Sequence, residues 1–190
     1  MKKVLLSLLM LTVGVTVDAQ YRDVKLPAAP KQTNYRNYAA EDAGFWFAVE
    51  AEGGSSVMVN NTNMQYVNAS WTAGYRLSEY LRFGAGFGVR YYVHHAEVRD
   101  TDNDFGIPIY ANVRGNIISA YDRDGVPFWS LNIGGITNEG FFVSPTLGYS
   151  FGSLRHNFLI GLSYTVTNFK DYSKTNIFYS YIGLKLGYEF

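Results

Sequence analysis

The stretch IFYSYIGLKLGYEF, residues 177–190, decides how the rest of the chain is read. From Ile182 onward every second residue is large and apolar: Ile182, Leu184, Leu186, Tyr188 and Phe190 alternate with Gly183, Lys185, Gly187 and Glu189. Successive side chains of an extended strand point to opposite faces, so this period of two sets an apolar face against a polar one. The chain stops on the apolar face, on an aromatic ring.

The same alternation recurs upstream and predicts seven further strands, eight in all. Residues 45–52 set Phe45, Phe47, Val49 and Ala51 against Trp46, Ala48, Glu50 and Glu52. Residues 66–76 set Val67, Ala69, Trp71, Ala73 and Tyr75 against Asn68, Ser70, Thr72, Gly74 and Arg76. The clearest segment, 80–92, opposes Leu81, Phe83, Ala85, Phe87, Val89 and Tyr91 to Arg82, Gly84, Gly86, Gly88 and Arg90. Segments 107–118, 127–135, 140–150 and 156–166 follow the same rule, with Tyr110, Asn112, Arg114 and Asn116 on the polar face of the first of them. Turn-rich or charged stretches separate them, the pattern of an up-and-down transmembrane β-barrel.

A soluble barrel also alternates, with its apolar face inside. Charge and glycine separate the two. No charged residue falls on the apolar face, as contact with lipid requires, because a charge there costs roughly 2–4 kcal/mol at the bilayer midplane. The polar face is rich in glycine (Gly74, Gly84, Gly86, Gly88, Gly148, Gly161), which gains nothing against water but makes room inside a narrow barrel. Aromatics near strand ends (Phe45, Tyr75, Tyr91, Trp129, Tyr149, Tyr164, Tyr188, Phe190) suit interfacial girdles. Pro108 and Pro145 each remove a ladder donor, so they are expected near strand ends or at bulges.

Composition agrees. Sixteen basic and sixteen acidic residues balance, so no net field points to nucleic acid. Cysteine is absent, which excludes disulfides, thiolate metal sites and a lipidated N-terminal cysteine. Lys2 and Lys3 precede an apolar run, 4–17, too short to span a bilayer, and Val17-Asp18-Ala19 has the layout of a cleavage site. Residues 1–19 are therefore expected to be an export signal, 20–43 a flexible periplasmic linker, and 44–190 the barrel. An even strand number returns both termini to the periplasm, with turns at 77–78 and 152–154 and outward loops at 53–65, 93–105, 136–139 and 168–176. The 119–126 connection is long for a turn, and 136–139 is short for a loop.

Glu50, Glu52, Arg82, Arg90, Arg114 and Lys185 fall on the inward face, with Arg76 and Glu189 nearer the periplasmic rim. Eight strands enclose a space that side chains can fill, so these charges are expected to pair in a structural network that plugs the barrel. A gated ion path is the alternative. His94, His95, Asp100, Asp102 and Asp104 share one loop, but the calcium-loop glycine and distal glutamate are missing, so no metal is assigned. His156 is followed two residues later by Phe158, not serine, which argues against an acyl-cleaving site on lipid A. Neither a cofactor nor a catalytic residue is assigned.

The runs LRFGAGFGVRYY (81–92), IPIYANVRGNI (107–117) and FFVSPTLGYSF (141–151), with the closing aromatic strand, resemble the small outer-membrane β-barrel family of Bacteroidota-type bacteria. The resemblance spans 44–190 and implies an OmpA-type barrel in the outer membrane, with no catalytic residue to carry over. It also implies that Tyr188 and Phe190 form an assembly signal, although Lys185 stands where that signal prefers glycine. The expected partners are outer-membrane lipid, lipopolysaccharide and the assembly machinery, with any extracellular ligand unknown. The expected role is structural or surface-interacting. A narrow pore, a lipid A-modifying enzyme and a soluble secreted barrel are the alternatives.

Overall fold

The computed structural model describes residues 43–57, 64–94, 104–120, 123–137, 139–152, 156–170 and 176–190. The expected export signal and, Ala43 apart, the expected linker lie outside these residues, as do His95, Asp100, Asp102 and the side chain of His94.

The strands are β1 Gly44–Ser56, β2 Gln65–Ser78, β3 Leu81–His94, β4 Phe105–Gly106, β5 Pro108–Asn116, β6 Gly125–Ile136, β7 Gly140–Gly152, β8 Asn157–Lys170 and β9 Asn176–Glu189. All pairings are antiparallel. β4 and β5 both pair with β3 in one register and form a single wall strand interrupted around Ile107 and Pro108, where proline supplies no N–H. The eight wall strands close on themselves because β1 pairs with β9 as well as with β2. Phe190 extends that seam by one residue, donating from its N–H to the Phe47 carbonyl at 2.9 Å and accepting from the Phe47 N–H at 2.8 Å.

Polarity runs opposite to that of a soluble barrel. Outward side chains are apolar and exposed on every wall strand, among them Phe45, Phe87, Ile109, Leu147, Phe158, Leu162 and Leu184. Inward positions hold the charged, amide and hydroxyl groups, all buried. The alternation read from the sequence therefore assigns faces correctly along 45–52, 66–76 and 81–92. On β9 it holds from Ile182 to Leu186, while Tyr179, Ser180 and Tyr181 before it are all buried.

Several boundaries differ from expectation. The expected turn at 77–78 lies instead at Glu79–Tyr80, because a register shift opposite Leu81 lets β2 run on to Ser78. β1 continues through Gly53, Gly54 and Ser55, which pair with both β2 and β9, so the outward loop is shorter than 53–65. β8 likewise runs to Lys170, not Val166. The wall strand expected over 107–118 starts at Phe105 and ends at Asn116.

Pro108 opens β5, as expected of a residue without a donor. Pro145 does not fit the expectation, since it sits inside β7 with no register shift. The β7–β8 ladder instead skips Ser144 and Pro145 and resumes at Thr146↔Ser163. A side-chain hydrogen bond, Ser144 Oγ to Thr165 Oγ1 at 2.7 Å, spans the gap on the inner side. At the end of β7, Gly152 has φ +135°, and a Cβ there would meet the His156 carbonyl at 2.1 Å.

Candidate functional site

The inward face of three adjacent strands carries one arginine each in a single cross-strand row: Arg76 on β2 opposite Arg82 on β3, and Arg82 opposite Arg114 on β5. Like charges directly opposite each other repel. Glu189 offsets this from the far wall: its Oε1 accepts from Arg76 Nη2 and from Arg82 Nη1, and its Oε2 lies 3.3 Å from Arg114 Nη1. β5 is four strands from β9 around a ring of eight, so Glu189 and Arg114 join opposite sides of the barrel.

A second layer continues from Arg114. Its Nη2 donates to Glu50 Oε1 at 2.6 Å, and its guanidinium carbon stands 4.7 Å from the Trp46 ring centroid. Lys185 Nζ lies 3.8 Å from Glu50 Oε2 and 3.7 Å from Glu52 Oε2. Glu52 Oε1 also accepts from Tyr66 OH at 2.7 Å and Ser163 Oγ at 2.5 Å. Asn112 extends the network to β6: its Oδ1 accepts from Arg114 Nε at 3.2 Å, and its Nδ2 donates to Ser130 Oγ at 2.9 Å.

Arg90 behaves differently. Its guanidinium lies 4.1 Å over the Tyr66 ring and 5.9 Å from the Phe142 ring, and among the described residues it forms no ion pair. Cation–π contact takes the place of the salt bridge expected there. Above it, Tyr66, Tyr92, Tyr179, Tyr181 and Met64 pack together, Tyr66 and Tyr181 edge to face at 5.2 Å.

Of the six inward charges expected from the sequence, Glu50, Glu52, Arg82, Arg114 and Lys185 thus meet in one linked cluster, and Arg90 stands apart from it. Arg76 and Glu189 stand near the ends of β2 and β9, and both are buried, Glu189 with no exposed surface. The sequence puts Glu189 on the inward face near the rim without singling it out from the other charges. Three inward arginines with too few nearby acids was the signal that pointed to it.

Tyr188 and Phe190 face outward. Phe190 stacks on Phe47 at 5.9 Å, and Tyr188 packs edge to face against Phe158 at 4.9 Å. The His156 ring stacks on Tyr188 at 6.4 Å, in an aromatic cluster at the turn end of the wall. Trp129, expected in the girdle, is half-buried. Among the described residues, no group of three His, Asp or Glu side chains is placed to hold a metal ion.

This architecture belongs to a known class of structure. The chain is similar to the crystal structure of Neisserial surface protein A, with a TM-score of 0.56 and 16% identity over 77% of this chain and 97% of that one. Less similar are a de novo designed transmembrane β-barrel (TM-score 0.39, 12% identity, 76% and 95% covered) and OprG from Pseudomonas aeruginosa (0.44, 9%, 78% and 96%). No family model and no curated protein matches the chain. The likeness is one of fold: the chain has the eight-stranded outer-membrane β-barrel fold.

Proposed function

We propose that this chain is exported by residues 1–19 and resides in the outer membrane as an OmpA-type barrel with a structural or surface-interaction role. One observation carries the reading. Among the described residues, nine charged side chains are buried within the wall or at its end (Arg76, Arg82, Arg90, Arg114, Lys185, Glu50, Glu52, Glu139 and Glu189), while large apolar side chains are exposed around the outside. In water that arrangement is unfavourable on both faces; in lipid the outer face is solvated and the inner network stays dry.

In this reading the ion pairs and hydrogen bonds from Arg76 to Ser163 plug and stiffen the barrel, and the outward loops, including the one with His94 and His95, make the contacts. Lipid and lipopolysaccharide surround the wall. The assembly machinery reads Tyr188 and Phe190, whose outward rings beside the β1–β9 seam support that role. The linked network favours a closed barrel over a pore, and His156 in its aromatic cluster favours a non-enzymatic role over acyl transfer.

Three measurements test the proposal. Membranes from expressing cells should release the protein only with detergent, and the purified protein should leave a planar bilayer silent; discrete conductance steps would overturn the plugged interior. Protease added to intact cells should cut within 93–105 and spare 20–43, and the reverse pattern would overturn the orientation.

A further inference from the structure

At the turn end of the barrel a recess opens between Ala120, Arg123 and the ends of β7 and β8, lined by Arg82, Asn116, Arg123, Ser150 and Asn157 with Glu79 at its edge. Ser150 and Asn157 are more than nine-tenths buried. The Ser150 hydroxyl and the Asn157 amide are not sealed from solvent; both open into the recess, where water or a ligand can reach them.

The chemistry around them selects an anion. Asn116 Oδ1 accepts from Arg82 Nη2 at 3.1 Å, which leaves the Asn116 amide N–H groups as donors. Arg123 is exposed at the mouth, and behind Arg82 stand Arg76 and Arg114, three guanidiniums sharing Glu189. Among the described lining residues the one carboxylate is already engaged: Glu79 accepts from Ser119 Oγ at 2.9 Å and from the Ala120 N–H at 2.8 Å. Donors and positive charge therefore converge, and the acid beside them is turned to its own loop.

We propose that this recess binds a small oxyanion, a carboxylate or a phosphate, which enters by one oxygen between Ser150, Asn157 and Asn116 and is paired at the mouth by Arg123. The bound charge would also offset the arginine row behind Arg82. This inference does not depend on which membrane holds the barrel.

The test is titration calorimetry of the full chain in a non-ionic detergent, with sodium phosphate and sodium acetate as separate probes and sodium chloride at matched ionic strength as the blank. Saturable binding of either probe is expected, and the stronger of the two identifies the class. Arg123→Gln, at an exposed position outside the strands, and Ser150→Ala should each weaken binding about ten-fold, as loss of a charge-assisted hydrogen bond does. Unchanged heat-denaturation gel mobility would show that both variants remain folded. No saturable heat with either probe, or binding that both variants retain, would overturn the site.

Discussion

Glu189 and Arg114 approach to 3.3 Å across the barrel interior, from strands four apart in a ring of eight. Glu189, at the end of β9, is thereby tied to the last residues of the strand opposite it, and the same carboxylate serves Arg76 and Arg82. Closing the barrel and neutralising its arginine row are one event, since β9 must dock on β1 before Glu189 can reach across.

Glu189→Gln should be among the most destabilising single changes. It removes the carboxylate that three buried guanidiniums in one row share, and loss of one partner of a buried ionic group costs about 3–5 kcal/mol. Glu50→Gln should cost less, because Arg114 keeps Glu189 and Lys185 keeps Glu52. Urea unfolding in lipid vesicles would rank the two, and equal midpoints would contradict the hub role of Glu189.

Gly86 lies beneath the Tyr110 ring, where a Cβ would come within 2.5 Å of Tyr110 Cζ. Gly86→Ala should push the ring away, break its 2.9 Å bond to Thr72 Oγ1 and cost about 1–3 kcal/mol. Combined with Tyr110→Ala the two changes should be non-additive, as for residues in contact. Gly53→Ala, with nothing within 4 Å of the added carbon, serves as the control and should fall within about 0.5 kcal/mol of wild type.

Leu162 is 63% exposed on the outward face of β8. If lipid covers that face, Leu162→Arg should destabilise the inserted barrel by about 2–4 kcal/mol and lower the fraction that folds into vesicles. A soluble barrel would tolerate the same change or gain solubility from it. Folding yield in vesicles of defined lipid separates the two outcomes.

Phe190→Ala and deletion of Phe190 should differ. The alanine variant keeps both backbone hydrogen bonds to Phe47 and loses the stacked ring, whereas the deletion loses ring and ladder together. Refolding of purified protein into detergent should be near normal for Phe190→Ala and slowed for the deletion. Insertion in cells should fall for both if the aromatic ring is read during assembly.

Much of the wall was legible before any coordinate. Face assignment follows from a period of two, and that period survives wherever the two faces meet different media, as along Leu81 to Tyr92. Strand ends were less legible: Gly53 to Ser55 look like a loop in composition but are held in the ladder by neighbours on both sides. Pro145 shows the same limit, because a wall paired on its other side through Leu131 absorbs one lost donor without a bulge.

By itself the sequence determined which residues face inward, since alternation depends only on the pleat of a strand and on neighbours adjacent in the chain. It placed Glu50, Glu52, Arg82, Arg90, Arg114 and Lys185 on the buried face without saying which of them meet. Only the tertiary structure decided that Glu189 serves three arginines, that Arg90 rests on Tyr66, and that Ser150 and Asn157 share a recess with Arg123. Those contacts depend on the stagger between strands and on which walls stand opposite, and both are set when β9 closes on β1, by pairings between residues more than a hundred positions apart in the chain.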